Sequence, residues 1–505
     1  MTSGDELRAA LHRYWGYEEF RPLQERVITS VLAGRDVCVI MPTGGGKSLC
    51  YQLPAALQPR LTAVVVSPLL ALMQDQVTQL TQMGIPAAML NSTQPAAEQG
   101  RLLQGVRRGQ FRLLYISPER LARADTFAWL EKIPLSLVAI DEAHCISEWG
   151  HEFRPDYRQL GALRARFPAT PIAAFTASAT RRVRHDIVAQ LQLREPDKIV
   201  ASFHRPNLRY VVRECTPARQ RSLLAASLRH HLAASSAGSV IVYAPTIARV
   251  EETAADLSAA GLAALPYHGQ MAAELRRQNQ ERWMEDEVRI LVGTLAFGLG
   301  INKANVRAVI HLALPKSVEQ YYQEAGRAGR DGAPADCLLL WQKRDAGLLA
   351  HFADETADPD ERERAWQRYH QIRDFAAARR CRHGQICVHF GEAWGNDRCG
   401  ACDVCGYEPE YWGKPPQAPG RMAMPAPAPV PPQPELLEAL KAWRRQTAHA
   451  AGLPAFMVLH DSTLDALCHA PPCTLAELRQ ITGFGERKVA RYGDAILALM
   501  AERAD

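Results

Sequence analysis

The 505-residue chain lacks any uninterrupted apolar stretch of about 18 residues, the length that a membrane-spanning helix needs. Residues 1–20 lack the apolar segment of a secretory signal peptide. A large excess of one charge is also absent, since 59 Lys and Arg face 54 Asp and Glu, a formal charge of +5. That balance permits a nucleic-acid partner without requiring one. We therefore expect a cytoplasmic protein with no membrane partner.

Cysteine is sparse along most of the chain, yet five of the twelve cysteines fall within residues 381–405. Without an export signal, such a cluster indicates metal ligation before disulfides. Cys399, Cys402 and Cys405 have C-x2-C-x2-C spacing, and a thiolate from Cys381 would complete a tetrahedral zinc site. An iron–sulfur cluster is the alternative, because a ferredoxin-type run begins with the same spacing. No later cysteine continues that run, which favours zinc.

Short β-branched runs alternate with helical stretches through about residue 345. Continuous apolar strands separated by helices indicate parallel sheets that helices cover on both faces. The strands form two series with a boundary near 205–235, so we expect an α/β fold with two lobes. Strands are predicted at 36–41, 61–67, 111–117, 135–140 and 171–176, and then at 239–244, 288–294, 307–312 and 336–341.

The remaining chain changes character three times. Residues 346–380 are helical and charged and lead into the cysteine cluster. Residues 413–434 are rich in Pro and Ala, which is typical of a semi-rigid linker, and the helix caps beyond them predict a small all-helical domain. The predicted domains are lobe 1 (1–207), lobe 2 (208–345), a helical zinc-binding subdomain (346–410), a linker (411–434) and a helical domain (435–505).

The stretch MPTGGGKS (41–48) follows a predicted strand and precedes a predicted helix. Backbone N–H groups of such a loop can cradle the phosphates of ATP at the helix N-terminus. Lys47 would reach the β and γ phosphates and the Ser48 hydroxyl would bind Mg²⁺. Met41 stands where the general pattern has glycine, but three glycines still supply the loop. The ATP-binding residues are predicted to be Thr43, Gly44, Gly45, Gly46, Lys47 and Ser48.

Two acids, Asp141 and Glu142, follow the apolar strand 135–140. Asp141 has the position of the Mg²⁺-binding acid of a P-loop ATPase, and Glu142 could polarise the attacking water. A solvated pair of acids at a strand end is the alternative. A phosphate-binding loop earlier in the chain makes the catalytic interpretation the stronger one.

The stretch QEAGRAGR (323–330) places Arg327 and Arg330 three residues apart, which puts them on one face of a predicted helix. Guanidinium groups aimed at a γ-phosphate stabilise charge during phosphoryl transfer. Their distance in sequence from the phosphate-binding loop implies that ATP lies between two lobes. The alternative is an ordinary basic helix on the surface.

Over about residues 6–406 these motifs resemble, in order and spacing, those of superfamily 2 helicases and specifically the RecQ family. GYEEFRPLQ (16–24) looks like the family's adenine-recognition motif, which implies that Gln24 reads the adenine edge and Arg21 supports the nucleotide. DEAH (141–144) implies a catalytic role for His144 as well. The other matching motifs are FTASAT (175–180), LAFGLGINKANV (295–306) and YYQEAGRAGRDG (321–332), with Ser178 where the family usually has threonine.

This resemblance implies two RecA-like lobes and an ATP-dependent 3′→5′ DNA helicase that acts in recombination, repair or replication. Its expected partners are single-stranded DNA, tailed or forked duplexes, and repair or single-strand-binding proteins, with a location at the nucleoid. An RNA helicase is one alternative. An ATP-gated DNA-binding or strand-annealing module is another, because residues 406–434 are too few for the winged-helix domain of longer RecQ proteins.

CISEWGHEFRPDY (145–157) looks like the aromatic-rich loop of the RecQ family. The resemblance implies that it senses single-stranded DNA and couples it to ATP hydrolysis, with Arg154 as a link to the ATP site. Trp149 and Phe153 are the candidates for stacking on bases, which contributes roughly 1–3 kcal/mol per base without reading sequence. Tyr157 belongs to the same run, whose aromatics all look exposed from the sequence. The alternative is that Trp149 and Phe153 are core aromatics, but the polar setting of the loop argues against it.

The cysteine cluster resembles the RecQ zinc-binding subdomain, which implies Cys381 as the first ligand. Cys387 then becomes a small core residue. His383 and His389 are lesser candidates for ligands.

The C-terminal part resembles an HRDC domain between residues 440 and 493. Gly483 and Gly485 precede a predicted helix whose N–H groups could meet a phosphate. A basic face there suits contact with a nucleic-acid backbone, although a solvated face or a protein partner are equal alternatives. The residues of that face are Arg487, Lys488 and Arg491.

Overall fold

The computed structural model describes residues 3–233, 238–294, 303–413, 434–451, 453 and 455–501. The chain forms two compact units, one of Met1–Met41, Gly45–Ala201 and Pro429–Asp505, the other of Pro42–Gly44 and Ser202–Ala428. Each unit holds one parallel sheet, which confirms the predicted α/β class with two RecA-like lobes. Within the described ranges no helix has the length and apolar character that a membrane span requires.

The first unit contains a seven-stranded sheet in the order β3-β4-β2-β5-β6-β1-β7, and all its strand pairs are parallel. The strands are β1 (Val37–Ile40), β2 (Thr62–Val66), β3 (Ala87–Leu90), β4 (Leu113–Ile116), β5 (Leu135–Ile140), β6 (Ile172–Thr176) and β7 (Asp197–Val200). The helices are α1 (Gly4–Trp15), α2 (Gln24–Leu32), α3 (Leu49–Leu57), α4 (Leu70–Gln82), α5 (Ala96–Arg107), α6 (Pro118–Leu121), α7 (Ala124–Leu130), α8 (Pro155–Arg158), α9 (Leu163–Arg166) and α10 (Arg181–Gln190). Short 3-10 helices span Ala143–Ile146 and Gln159–Ala162.

The strand order of this sheet positions three motifs. β5 and β1 lie on either side of β6, and all three run in the same direction. The carboxyl ends of parallel strands meet at one edge of the sheet, which is where α/β proteins place their ligands. The phosphate-binding loop, DEAH and FTASAT therefore leave the sheet side by side.

The second unit contains a six-stranded parallel sheet in the order β10-β11-β9-β12-β13-β8. Its strands are β8 (Leu208–Glu214), β9 (Ser239–Tyr243), β10 (Ala264–Tyr267), β11 (Ile290–Gly293), β12 (Val306–His311) and β13 (Ala335–Trp341). Its helices are α11 (Pro217–Ala233), α12 (Ile247–Ala259), α13 (Ala273–Met284), α14 (Val318–Ala325), α15 (Lys343–Asp354), α16 (Pro359–Ala377) and α17 (Arg382–His389). Two 3-10 helices, Asp403–Cys405 and Glu410–Trp412, follow.

Ordered structure extends into the segment predicted as a linker. The Tyr411 hydroxyl donates to the carboxylate of Asp336 (2.8 Å), and the Trp412 indole donates to the Ser227 hydroxyl (3.0 Å). These contacts fasten the chain after the cysteine cluster to β13 and α11. Residues 414–433, the rest of the predicted linker, lie outside the described part.

The C-terminal residues form a small all-helical domain, as predicted. An apolar core of its own includes Leu440, Leu464, Phe484 and Ile496, all fully buried. The helices are α18 (Pro434–Ala451), α19 (Ala455–Val458), α20 (Asp461–His469), α21 (Leu475–Leu478) and α22 (Glu486–Ala501).

Candidate nucleotide, zinc and nucleic-acid sites

The phosphate-binding loop joins β1 to α3, as the sequence predicts, and contains Thr43 and Gly45. Gly44 (φ 83°) and Gly46 (φ 78°) both have left-handed backbone conformations, which glycine adopts at little cost. The Lys47 ammonium donates to the Met41 carbonyl at 3.1 Å, so the lysine folds back over its own loop. Ser48 directly precedes α3.

The adenine motif is bound to this loop by Gln24, the first residue of α2. The Gln24 side-chain amide donates to the Gly46 carbonyl (3.0 Å), and its carbonyl oxygen accepts from the Arg21 N–H (2.8 Å). Gln24 is buried, whereas Arg21 is exposed. The structure thus brings Arg21 and Gln24 to the phosphate-binding loop.

The two acids occupy different environments at the end of β5. The Asp141 N–H donates to the Val66 carbonyl (2.8 Å), and the Glu142 N–H donates to the Asp141 carboxylate (3.0 Å). Glu142 has a φ of 46°, a costly conformation for a residue with a side chain that is characteristic of functional sites. No feature of the sequence predicts this turn.

The pKa values of the same two carboxyl groups are shifted in opposite directions. Burial and the adjacent Glu142 carboxylate raise the pKa of Asp141. Burial also acts to raise the pKa of Glu142, but His144 and Lys47 outweigh it and lower that pKa. Neighbouring carboxyl groups with pKa values moved in opposite directions are suited to different chemical roles.

His144 connects DEAH to the FTASAT motif. Its side chain is fully buried, with Nδ1 2.9 Å from the Thr176 hydroxyl and 3.3 Å from the Glu142 carboxylate. The Thr176 hydroxyl in turn donates to the Ser178 carbonyl at 3.2 Å. Because a backbone carbonyl makes the contact at residue 178, the departure to serine there leaves it intact.

His144 also reaches the aromatic-rich loop. Its ring stacks on that of His151 with the centroids 4.7 Å apart, and its Nε2 lies 3.7 Å from the Glu152 carboxylate. Burial alone would lower the pKa of His144, but the Cys145 thiol and the two nearby carboxylates outweigh it and raise that pKa well above its usual range. The sequence did not point to His151 or Glu152 as partners of DEAH.

The aromatics of this loop divide into buried and exposed residues. Tyr157 is fully buried, so the expectation that it is exposed is wrong. Its hydroxyl donates to the buried carbonyl of Asp141 at 3.0 Å, and the side chain must enter the interior to reach that acceptor. Trp149 is 37% exposed, with the Arg182 guanidinium carbon 3.0 Å from its ring centre. Phe153 is half-buried and lies near Arg158.

Arg154 points from the loop towards another part of the first sheet. Its guanidinium makes a long hydrogen bond of 3.4 Å to the carbonyl of Pro68, two residues after β2. Its predicted role as a link to the ATP site remains a prediction.

Arg327 and Arg330 do not share a helical face, so that expectation is wrong. α14 ends at Ala325, and both arginines lie in the glycine-rich turn that follows. Arg327 is buried and Arg330 half-buried. Burial, together with the charges of Arg327 and Arg205, lowers the pKa of Arg330 to about 9. The positive charges of Arg205, Arg327 and Arg330 repel one another, and a bound anion would offset that repulsion.

Two residues just before β8 hold this turn in shape, and neither was predicted from the sequence. The Arg205 guanidinium donates to the carbonyls of Ala328 (3.3 Å) and Gly329 (3.0 Å). The Asn207 amide donates to Gly329 (2.9 Å) and Ala333 (3.0 Å). Their distance in sequence from the turn hides this role.

The four predicted zinc ligands converge, with the Sγ atoms of Cys381, Cys399, Cys402 and Cys405 within 4.8 Å of one another. Backbone N–H groups donate to these sulfurs: Arg382 to Cys402, Gly384 to Cys381, Cys399 to Cys405, and Ala401 to Cys399, at 3.3–3.5 Å. Such donors stabilise thiolates, so the site fits a tetrahedral zinc ion. Cys387 lies outside the cluster, as the resemblance implies, and the lesser candidates His383 and His389 lie outside it as well.

The cysteine cluster is joined to the second sheet and to α16. The Tyr210 N–H of β8 donates to the Ala401 carbonyl at 3.1 Å. The Asp403 carboxylate pairs with Arg382 (3.0 Å) and with Arg213 of β8 (3.2 Å). Arg382 also donates to the carbonyl of Phe375 near the end of α16. Loss of the metal would therefore disturb both neighbours.

The predicted basic face of the C-terminal domain is incomplete. Arg487 and Arg491 are exposed, but Lys488 is only 8% exposed. The prediction that Lys488 shares this face is therefore wrong. In α22 it lies beside the core residue Val489, on the side that packs inwards.

Four family descriptions match the chain: "DEAD/DEAH box helicase" at residues 21–187, "Helicase conserved C-terminal domain" at 223–332, "RecQ zinc-binding" at 343–406 and "HRDC domain" at 433–500. Residues 295–302, most of the LAFGLGINKANV motif, fall within the second match but outside the described structure.

Curated relatives agree with these matches. The chain is 42% identical over 396 residues to ATP-dependent DNA helicase RecQ of Pasteurella multocida, covering 78% of this chain and 61% of the relative. It is 40% identical over 401 residues to ATP-dependent DNA helicase RecQ of Bacillus subtilis, covering 79% and 66%. The chain thus spans less than two thirds of the length of these relatives.

Solved structures show the same fold at low sequence identity. Mss116p bound to single-stranded RNA and AMP-PNP aligns with a TM-score of 0.55 at 18% identity, covering 67% of this chain and 73% of that one. DUF1998 helicase MrfA bound to DNA aligns with a TM-score of 0.56 at 19% identity, covering 67% and 51%. With four matched family descriptions and relatives about 40% identical, the chain belongs to the RecQ family.

Proposed function

We propose that this chain is an ATP-dependent DNA helicase of the RecQ type, which moves 3′→5′ and unwinds duplex DNA in recombination, repair or replication. The observation that carries the proposal is the connection between the aromatic-rich loop and DEAH. Tyr157 is hydrogen-bonded to the Asp141 backbone, and the His151 ring stacks on that of His144. A strand bound at the loop would act directly on the residues that hydrolyse ATP.

In this proposal the phosphate-binding loop holds ATP through Thr43, Gly44, Gly45, Gly46, Lys47 and Ser48, and Gln24 and Arg21 contact the adenine. Glu142 orients the attacking water, because its lowered pKa keeps it ionised as a hydrogen-bond acceptor. Arg327 and Arg330 stabilise charge on the γ-phosphate, with Arg205 and Asn207 positioning their turn.

Ser48 and Asp141 would hold Mg²⁺, which neutralises phosphate charge when bound. Both residues follow parallel strands at the same edge of the first sheet, β1 and β5 respectively. A hydroxyl and a carboxylate are oxygen ligands of the kind that Mg²⁺ prefers.

The zinc site has a structural role in this proposal. Four thiolates would close the coordination sphere and leave no position for a substrate. The proposal also includes domain boundaries at residues 207, 345, 410 and 434.

The proposed location is the nucleoid. The proposed protein partners are repair or single-strand-binding proteins.

The ATP site is tested by Lys47→Ala, with the exposed Lys132→Ala as the matched control. Hydrolysis should fall to background in the first variant only, while binding of a fluorescent single-stranded DNA stays within about twofold of the parent. Retained turnover in Lys47→Ala would contradict the assignment of the phosphate-binding loop.

The choice between DNA and RNA is tested by the stimulation of hydrolysis. ATP turnover is measured with single-stranded DNA and with RNA of the same sequence and length. The proposal predicts stronger stimulation by DNA, and stronger stimulation by RNA would favour an RNA helicase.

A strand-annealing module is the second candidate. One observation favours it: only residues 406–433 separate the cysteine cluster from α18, which is too few for a winged helix. Under this alternative DNA stimulates ATP hydrolysis but tailed duplexes do not open.

A further inference from the structure

The turn before α22 lies against the end of α1, the first helix of the same compact unit. The Gly483 N–H donates to the Gly16 carbonyl at 3.3 Å. Gly16 terminates α1 and is buried. This bond joins the HRDC domain to the beginning of the chain.

Two glycines allow the backbones to approach closely at this junction. A β-carbon at Gly485 would lie 2.5 Å from the Tyr14 carbonyl oxygen, and one at Gly16 would lie 2.6 Å from the Phe484 backbone. Both distances are shorter than real side chains tolerate. Residue 485 has no left-handed φ, so packing alone requires glycine there.

Charged side chains extend the junction on both sides. The Arg13 guanidinium lies 3.1 Å from the Glu486 carboxylate, and both side chains are more than half exposed. The Arg487 side chain covers Gly84, where a β-carbon would lie 2.6 Å from its Nε. An exposed ion pair adds little stability, but it sets the orientation of the two surfaces.

We propose that the HRDC domain docks on this N-terminal helix through its glycine turn, so that the surface expected to bind phosphate is an intramolecular docking surface. In the docked state the Gly483 N–H, in the turn that precedes α22, already donates to the Gly16 carbonyl and is not available to a phosphate. Gly16 also begins the adenine motif, eight residues before Gln24. The docking surface therefore borders the nucleotide-binding motif.

Hydrogen exchange of the full chain tests the proposal with Gly485→Ala. Amide exchange at residues 483–489 and at 12–17 should rise together, by about tenfold, because the added methyl group collides with the Tyr14 carbonyl. The HRDC core helices α18 and α20 should keep their protection. Unchanged exchange at both segments would overturn the proposal.

Reversing the charge of Arg13 tests the docking without a substitution in the HRDC domain. Arg13→Glu should raise exchange at 483–489 by about threefold, because the ion pair becomes a repulsion. Adding Glu486→Arg should restore the parent rate. The matched control is Arg8→Glu, on the same helix but paired with Asp5 and Glu25, which should leave 483–489 unchanged.

These variants also give an answer if Gly485→Ala unfolds the domain. In that case the amides of α18 and α20 lose their protection from hydrogen exchange. The Arg13→Glu variant then tests the docking. No change at 483–489 in Arg13→Glu, or no recovery in the double reversal, would overturn the docking. Neither result depends on helicase activity, so failure of the proposed function would appear separately, in the hydrolysis assays.

Discussion

The hydroxyl of Tyr157 donates to the backbone carbonyl of Asp141 at 3.0 Å, and both groups are buried. Asp141 directly follows β5 as the first residue of DEAH, whereas Tyr157 is the last residue of the aromatic-rich motif (145–157) and lies in α8. One hydrogen bond therefore closes the loop onto the proposed Mg²⁺ ligand. If the loop moves when it binds single-stranded DNA, this hydrogen bond would transmit the movement to the Asp141 backbone.

Tyr157→Phe removes only this bond. We expect a loss of about 1 kcal/mol of stability, since a buried carbonyl loses its partner, and a lower stimulation of hydrolysis by DNA. The matched control is Tyr115→Phe, which removes another fully buried hydroxyl. The Tyr115 hydroxyl accepts a hydrogen bond from the Gln52 side-chain amide at 3.1 Å. Urea unfolding and DNA-stimulated hydrolysis measure the two effects. Equal stimulation in both variants would show that Tyr157 only stabilises the fold.

Trp149→Ala should weaken the stimulation of hydrolysis by DNA more than the stability of the fold, because the indole is 37% exposed. Loss of one stacking contact corresponds to roughly a 5- to 150-fold weaker DNA affinity. Phe352→Ala removes a more exposed aromatic (48%) from the second unit and serves as the control. Titration of hydrolysis with single-stranded DNA gives both values, and an unchanged half-maximal DNA concentration would refute the stacking role.

Cys402→Ser should lower zinc content and soluble yield together. Cys402 is fully buried among the four thiols, and a serine oxygen is a poorer zinc ligand. Cys473→Ser, at the exposed cysteine of the HRDC domain, should retain one zinc per chain. Metal analysis after gel filtration provides the measurement. A full zinc complement in Cys402→Ser would redirect attention to Cys387 and the histidines.

Lys488→Met should stabilise the chain at pH 7. Burial lowers the pKa of Lys488 to about 8, against about 10.4 for an exposed lysine. Between these values the unfolded chain binds more protons, so stability rises with pH there, and below pH 8 the buried charge costs up to about 3 kcal/mol.

The pH dependence distinguishes this effect from simple packing. The advantage of Lys488→Met in urea unfolding should shrink from pH 7 to pH 10, because the parent lysine becomes neutral. Arg491→Met, at an exposed cation of the same helix, should show no such change. A constant difference between Lys488→Met and the parent across this range would argue against a shifted pKa.

The central strands and the ATP and zinc motifs were predictable because each depends on local sequence. A continuous apolar run specifies a buried parallel strand such as β5, and the spacing of Cys399, Cys402 and Cys405 places three sulfurs together within one short turn. Among the described residues, four strands were not predicted, namely β3, β7, β8 and β10. β7 (DKIV) is polar at the edge of its sheet, and β10 contains Pro266, which an edge strand tolerates.

Contacts between distant segments could not be predicted. Arg205 lies more than one hundred residues from the turn that it holds. The direction in which Lys488 faces depends on how α22 packs against the rest of the HRDC domain, and helical spacing alone does not fix it. The end of α14 at Ala325 overrides the helical spacing of Arg327 and Arg330. In each case tertiary packing decides among several locally acceptable arrangements.

The proposed helicase activity is tested most directly by strand separation on two duplexes that differ only in having a 3′ or a 5′ single-stranded tail. The full chain is given ATP, with Lys47→Ala as the inactive control. We expect the 3′-tailed duplex to open and the 5′-tailed duplex to stay closed. Hydrolysis stimulated by DNA with neither duplex opened would contradict the proposed activity and favour a translocase or annealing factor.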